Sequence, residues 1–512
     1  YAHASGIDDR TAPYFYSVGL RLNFSIYGIN IPVYTSIRDN SFHYGTTLPR
    51  LKISPSYKWA SLQIGDIYTR FNPYVLSQRN MRGVALKLTP GKFRFQALYG
   101  SMQDFNSFQD TLFLGTVENN VYSQKVVGGS IGFGRLTNHV DLYVLKSWDN
   151  RDSTYYADRN IRPRSNFLAG SKIKLKLFKK LGFTSNTGVS VRTEDTYGLG
   201  EETRVGENGL TGDLITTNAT TGLSYAGDVA LNYRIGVVGL NAKVQYVQPH
   251  YKPLTVAFIA TDVLNYTLGT SFNTFRKRLF FNGSVGIQRN NISNLNPNST
   301  KRIILNAVTR FQFNKALSAN FNYSNFALDY QARLININQL YTYAINNINQ
   351  SARLNYRTTG SFLEIRTGVS GGINKFQTVV EEDENGSRDY SSKYVQYNIN
   401  FRFPQRLLEV GFTTDFKTYD NINNASKNYG LGLTLQKGFL EDKLKFNLRN
   451  SYTLIDRLEK REGTNLLTTL NCNYKNDKGT SYFFILNRIQ RSSEVSSDFT
   501  EYRTQLAIAQ KF

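Results

Sequence analysis

Four histidines, one cysteine and two Gly-x-Ser-x-Gly runs are the parts of this chain that chemistry could recruit. His3, His43, His139 and His250 lie far apart in sequence, and a single cysteine, Cys472, excludes both a disulfide framework and any multi-cysteine metal site. Cys472 alternates with Leu470 and Tyr474, which reads as a small apolar residue on a strand face rather than a reactive thiol. Gly128-Gly129-Ser130-Ile131-Gly132 and Gly368-Val369-Ser370-Gly371-Gly372 match the nucleophile-elbow pattern. That elbow needs a strand-to-helix turn, and both runs sit in strand-like, glycine-rich stretches where glycine marks a bend or a close approach. No P-loop, H-E-x-x-H or EF-hand pattern occurs. With no catalytic constellation left, the expectation is a protein that is not an enzyme and carries no cofactor and no metal.

The elements that would position these residues are strands. The 512 residues carry 61 Lys+Arg against 38 Asp+Glu, a formal net charge of +23. Aromatic residues reach 14%, with 34 Tyr and 34 Phe but only 2 Trp, so the chain is too rich in residues that want burial to be disordered. No run of about 18 apolar residues exists to make a membrane helix. The basic residues are scattered along the chain instead of forming one stripe with stacked aromatics, which argues against a nucleic-acid partner.

A period of two runs through almost the whole chain. Val18, Leu20, Leu22, Phe24 and Ile26 oppose Gly19, Arg21, Asn23 and Ser25. Val395, Tyr397, Ile399, Phe401 and Phe403 oppose Gln396, Asn398, Asn400 and Arg402. Ile173, Leu175 and Leu177 alternate with Lys172, Lys174 and Lys176. Short turns (Thr89–Lys92, Gly236–Gly239, Asn314-Lys315, Pro404-Gln405, Gly438–Asp442, Asp477–Gly479) alternate with longer polar connections at about 103–122, 148–165, 194–226, 248–264, 329–344 and 377–390. Propellers and soluble sandwiches also use alternating strands, but they need a repeat of about 40–50 residues that this chain lacks. Tight turns on one side and loops on the other are the pattern of a membrane barrel.

The fold predicted is therefore all-β: a transmembrane antiparallel barrel over 14–512, preceded by a segment or outer loop at 1–13. At roughly ten residues per strand the chain suits about 25 strands, the first near Tyr14. Barrels of this kind are usually even-numbered, so about 26 strands are expected, with 24 as the alternative. The first strand runs from the loop side downward, which leads to the expectation that an N-terminal strand or segment precedes residue 1. Backbone groups in hydrocarbon must pair within the sheet, so the apolar face meets lipid and the polar face lines the lumen. Arg21, Lys172, Lys174, Lys176, Arg234, Arg310 and Arg402 are then expected in the lumen. Tyr27, Phe95, Tyr99, Phe326, Tyr474 and Phe484 are expected in the interfacial girdles. A wall of 26 strands encloses a barrel on the order of 50 Å across, which needs filling. The stretch Glu194–Ala226 is the internal candidate for an inward-folding loop, with an ordinary outer loop as its alternative. The acidic run Glu381–Gly386 reads as a solvated loop, with a cation bridge to lipopolysaccharide as its alternative, and Asp149-Asn150-Arg151-Asp152 reads the same way.

The last strand, Tyr502, Thr504, Leu506, Ile508, Gln510 and terminal Phe512, resembles the C-terminal strand of bacterial outer-membrane proteins, which implies that Tyr502, Leu506, Ile508 and Phe512 form an insertion signal. Asn/Tyr/Lys-rich strands, with Leu51–Trp59 and Pro90–Gly100, look like large outer-membrane barrels of Bacteroidota. That group is largely without an assigned activity, so the resemblance implies an integral outer-membrane location and supplies no functional residues. It further implies use in protein secretion or nutrient uptake alongside plug, lid or lipoprotein partners. The chain departs from TonB-dependent uptake barrels in showing no plug domain. Two roles follow as expectations: a conduit or scaffolding subunit of a multi-protein secretion or assembly machine, or a porin or uptake channel for large polar, anionic solutes. Expected partners are membrane lipids, lipopolysaccharide, and a plug, lipoprotein or second barrel.

Overall fold

The computed structural model describes residues 2–8, 14, 16–38, 50–77, 79–103, 122–135, 137–150, 162–178, 180–197, 203–204, 216–334, 339–380, 389–421, 425–458, 460–477, 479–494 and 496–510. Its strands in chain order begin with β1 (Ala2–Ser5), β2 (Ser17–Ile26), β3 (Ile29–Arg38), β4 (Arg50–Ile53), β5 (Ser56–Tyr57) and β6 (Ala60–Ile67). They continue with β7 (Met81–Leu88), β8 (Phe93–Gln103), β9 (Ser123–Arg135), β10 (Asn138–Asn150), β11 (Ser165–Leu177) and β12 (Leu181–Thr193). A small hairpin, β13 (Thr203–Arg204) and β14 (Thr216–Thr217), precedes β15 (Thr221–Ile235), β16 (Val238–Val247), β17 (Val263–Thr274) and β18 (Leu279–Asn290). Then come β19 (Asn298–Gln312), β20 (Leu317–Leu334), β21 (Gln339–Arg357), β22 (Glu364–Val380), β23 (Tyr390–Phe403) and β24 (Leu408–Asn421). The last are β25 (Ser426–Phe439), β26 (Leu444–Arg457), β27 (Lys460–Lys475), β28 (Thr480–Ser493) and β29 (Phe499–Gln510).

Every neighbour in the main sheet is antiparallel, and the pairing runs from β2 through β29 and on to β1. Among the described residues this sheet holds 27 strands, of which β4 and β5 share one position between β3 and β6, leaving 26 positions. A flat sheet of that width would separate its edges by about 120 Å. Yet β1 and β2 are joined by residues 6–16, which reach at most about 40 Å. The sheet has to curl until its edges meet, and the fold is a barrel. Of the 1–13 segment, Ala2–Ser5 joins the wall, with Ala2 opposite Arg503 and Ser5 opposite Thr500.

Alternation builds the wall as expected. In β10, Val140, Leu142 and Val144 are exposed on the outer face while Tyr143 and Leu145 point inward and are buried. Hydrocarbon against the outer side chains removes apolar area that water would penalise by about 25 cal/mol per Å². The turns sit where the sequence placed them, and the tightest use positive φ: Tyr27 (49°) and Gly28 (79°) form a two-residue turn whose twist matches the flanking strands. Ser130 and Ser370 both lie inside strands, β9 and β22, which continue for several residues past each serine instead of turning into a helix.

Two expectations change. Residues 329–344 are mostly strand, because β20 continues to Leu334 and β21 starts at Gln339. Phe326 is not in an outer girdle. It shares a face with Ile304, opposite exposed Ile303 and Leu305, and Arg302 lies over its ring at 5.9 Å. Strand phase, set by Phe321 and Tyr323 on the outer face, decides this over aromatic character.

Candidate functional site: the inner wall and the segments folded onto it

On the loop side two connections turn back onto the wall. The first, 68–80, links β6 to β7; the second, 248–262, links β16 to β17. They meet in a short parallel bridge between Ser77 and Val256, although eight wall positions, β7 to β16, separate their roots. An outer path would follow the curved wall, whereas a chord through the interior is shorter. Both segments pack on the face carrying Tyr143, Leu145 and Leu168, the one opposite the apolar outer belt.

The sequence of the first segment dictates this. Phe71, Tyr74, Val75 and Leu76 crowd four apolar residues together without alternation, which no half-exposed strand can use. Asn72 folds them into a turn: its Oδ1 accepts from the amides of Tyr74 (3.0 Å) and Val75 (2.8 Å). Its Nδ2 donates to the carbonyls of Ser171 (3.0 Å) and Thr187 (2.8 Å) on β11 and β12. The side chain is 1% exposed, and all of its hydrogen-bonding capacity is used.

Phe71 stacks on Tyr143 at 5.1 Å, and Val75 and Leu76 join Leu98, Val126, Leu145 and Leu168 in one core. Tyr251 of the second segment donates to the Tyr74 carbonyl at 2.8 Å, while Thr255 donates to that of Val75. Leu254 N–H donates to Asn166 Oδ1 at 3.2 Å. Burial pushes the Tyr74 and Tyr251 hydroxyls well above the ordinary phenol range, with Asp228 adding to the effect at Tyr74 and Tyr74 at Tyr251, so both stay protonated, and the Tyr74 hydroxyl accepts from Gln245 Nε2 at 3.2 Å. The shelf beneath is made by cross-strand partners Gly170 and Gly188. A Cβ at 188 would stand 2.3 Å from the Tyr251 hydroxyl and 2.7 Å from Tyr74 Cβ.

Towards the turn side the covered wall is polar and balanced. Arg94 Nη2 meets Asp141 at 2.6 Å, and Asn186 Nδ2 donates to both oxygens of Asp228 at 2.9 and 3.0 Å. Lys243 lies 3.7 Å from Asp228. Lys172 is registered between Asp141 and Asn186 in this row.

Below it, Lys174, Lys176 and Arg234 come together with Lys180 around a recess of about 590 Å³ that, among the described residues, no carboxylate lines. The remaining residues singled out from sequence lie elsewhere. Arg21 on β2 sits over the Tyr34 ring at 5.8 Å. Arg310 on β19 donates from Nε to Asn320 Oδ1 at 2.9 Å. Arg402 on β23 reaches Glu364 at 3.5 Å, sharing that carboxylate with Arg357 and with Arg366 at 3.1 Å. Tyr502, Leu506 and Ile508 share the outer face of β29 and are exposed, while Phe512 lies outside the described residues, as does the acidic run 381–386. Cys472 pairs across the sheet with Phe446 and Phe484. Asp149, instead of being solvated, is buried against Arg164 at 3.0 Å.

The inward segments are what the sequence reading missed. It placed 248–264 among ordinary loops, passed over 68–80, and offered 194–226 instead. The signal was present in β10 and its neighbours, where Leu98, Val126, Tyr143, Leu145 and Leu168 make the inner face apolar as well as the outer one. A barrel strand apolar on both faces has to be covered from within.

No family model matches the chain, and no curated protein matches it. Among solved structures, OccAB4 of Acinetobacter baumannii aligns with 73% of this chain and 96% of its own, at 11% identity and a TM-score of 0.32. OccK1 (OpdK) of Pseudomonas aeruginosa aligns with 72% and 96%, at 12% identity and a TM-score of 0.27. The P pilus usher (PapC) translocation pore aligns with 97% and 96%, at 8% identity and a TM-score of 0.27. At such values the likeness adds nothing to the barrel already described, and no function is taken from it.

Proposed function

We propose that this protein is an integral outer-membrane channel, narrowed on one side by its own segments 68–80 and 248–262, whose inner wall favours large polar anions. The observation that carries the reading is the recess of Lys174, Lys176, Lys180 and Arg234, a cluster of cations with no lining carboxylate among the described residues, on the face away from the apolar belt. A ring of cationic side chains in a pore raises the local anion concentration and biases conduction. An aqueous lumen also explains how the wall tolerates so many charges, since one of them on the lipid side would cost about 2–4 kcal/mol near mid-depth.

A second reading, a conduit or scaffolding subunit of a protein-export machine, is favoured by the extent of bare wall. Among the described residues the inward cores rest on β6 to β16, and nothing comparable covers β17 to β29. Under that reading a plug, a lipoprotein or a second barrel fills the remainder.

The test is reconstitution of the purified protein in planar bilayers under a salt gradient. Steady currents with an anion-selective reversal potential are expected. Cation selectivity, or a barrel that conducts only after a co-purifying partner is removed, would overturn the first reading, the latter in favour of the second.

A further inference from the structure

The inner wall opposite the covered region holds a second recess, of about 410 Å³, on β19 to β23. We propose that it is a binding subsite for the carboxylate of a small hydroxylated acid, a proposal that rests on the reading as a solute channel. One row of the sheet supplies its floor: Arg310 opposite Asn320, Asn320 opposite Arg353, and Arg353 opposite Ser370. The two arginines are two strands apart, about 10 Å between backbones, so their side chains flank a slot rather than stack on one another. Asn320 Oδ1 accepts from Arg310 Nε at 2.9 Å, which fixes one guanidinium and leaves its terminal nitrogens for a ligand. Among the described residues no carboxylate stands within ion-pair distance of either arginine. Asp415, two positions past Ser370 in the same row, is 3.7 Å from Lys417. Glu364, further along β22 and about 20 Å away, is held by three other arginines.

Ser370 is the independent sign that something binds. It is 4% exposed, lines the recess, and among the described residues its hydroxyl has no hydrogen-bond partner. A buried hydroxyl left unpaired is costly, and a ligand hydroxyl or carboxylate oxygen beside Arg353 would satisfy it. The side wall is the Tyr394 ring, which lies across Gly372. A Cβ there would come within 2.5 Å of the ring. An apolar ring face next to amides, a hydroxyl and two guanidinium forks suits a sugar acid: the forks take the carboxylate, the amides and Ser370 take hydroxyls, and the ring meets the carbon face.

The experiment is calorimetric titration of the detergent-solubilised full chain with glucuronate, using glucose as the neutral probe. Wild type is expected to bind glucuronate and to show no measurable glucose binding. Arg353→Gln and Arg310→Gln are each expected to weaken glucuronate by about tenfold, the scale of one charge-assisted contact, while Lys277→Gln in a distant turn leaves it unchanged. Retained heat-modifiable migration on gels certifies the fold. Should a variant not fold, arginine-selective labelling of wild type with phenylglyoxal replaces it, and glucuronate should protect Arg353. Equal binding of glucose, unchanged affinity in both arginine variants, or no protection would overturn the subsite. A barrel that binds glucuronate but passes no current would refute the channel and keep the subsite; one that conducts without binding would do the reverse.

Discussion

The wall from β8 to β12 and the wall from β19 to β23 are built by the same alternation, yet their inner faces differ. In the first, Leu98, Val126, Tyr143, Leu145 and Leu168 are apolar, two inward segments cover them, and the nearby charges are matched: Arg94 with Asp141, Asn186 and Lys243 with Asp228. In the second, Arg310 and Arg353 look into open space, and Glu364 answers three arginines at once. Covering a wall removes water, and an unmatched charge there would be expensive. A wetted wall carries no such penalty, so excess charge persists only where the lumen stays open. Charge balance thus separates the wall beneath the inward segments, where charges are paired, from the uncovered wall, where Lys174, Lys176 and Arg234 below the cover, and Arg310 and Arg353 on the far side, stand in excess.

The comparison breaks most sharply at Gly188. In Gly188→Ala the new methyl must displace the Tyr251 hydroxyl and Tyr74 Cβ, at 2.3 and 2.7 Å, while the strand itself accepts alanine. The sheet should therefore survive and the inward segments detach. Losing the buried partners of Tyr74 and Asn72 costs roughly 1–3 kcal/mol per unsatisfied group. Hydrogen exchange of the Tyr74 and Val75 amides is expected to accelerate by at least about tenfold on that scale, and conductance to rise. Unaltered exchange would mean the segments are held by something other than this shelf.

On the bare wall, Glu364→Gln sharpens the contrast. Removing the carboxylate leaves Arg357, Arg366 and Arg402 facing each other with their positive charge uncompensated. Anion over cation selectivity is expected to increase by about twofold, the scale of one added charge near a wetted wall, with a lower melting temperature. Removing a matched charge on the covered wall, as in Asp141→Asn, would act on stability alone. Equal shifts in selectivity at both positions would erase the distinction between the two walls.

Much of the barrel was legible in the sequence because its code is short-ranged. The period of two marked the strands that carry Arg21, Lys172, Arg234 and Arg402, and turn residues such as Gly28 and Gly236 bounded them. Phe326 was misplaced because its aromatic character was weighed above the phase that Phe321 and Tyr323 set within the same strand. The inward segments were hidden for a different reason. Asn72 reaches carbonyls at 171 and 187, and Tyr251 reaches residue 74. Contacts across such separations follow from closure of the whole wall. The recess at Arg310 and Arg353 was half visible: Arg310 stood out by its strand position and Ser370 by its glycine-flanked run, but Arg353 and Ser370 come from the next hairpin, β21–β22, and reach Arg310 only through the register across Asn320.

The smallest effect lies at the turn side, outside the wall. Lys443 and Asp477, in the turns after β25 and β27, pair at 2.7 Å, and Asp477 is 81% exposed. The hydrogen bond and charge of Asp477 raise the Lys443 ammonium above the ordinary lysine value. A raised lysine contributes stability that is fully present below its unfolded value, near 10.4, and is lost as pH climbs through the higher folded value. Melting of the solubilised barrel should therefore be indistinguishable between wild type and Lys443→Met in slope up to about pH 10, with wild type slightly higher. Above that the two curves should converge. The pair is solvent-exposed, so moderate salt should shrink even this difference. Parallel curves across the alkaline range would show that the turn pair adds nothing beyond packing, and that the charges which matter to this barrel are those on its inner wall.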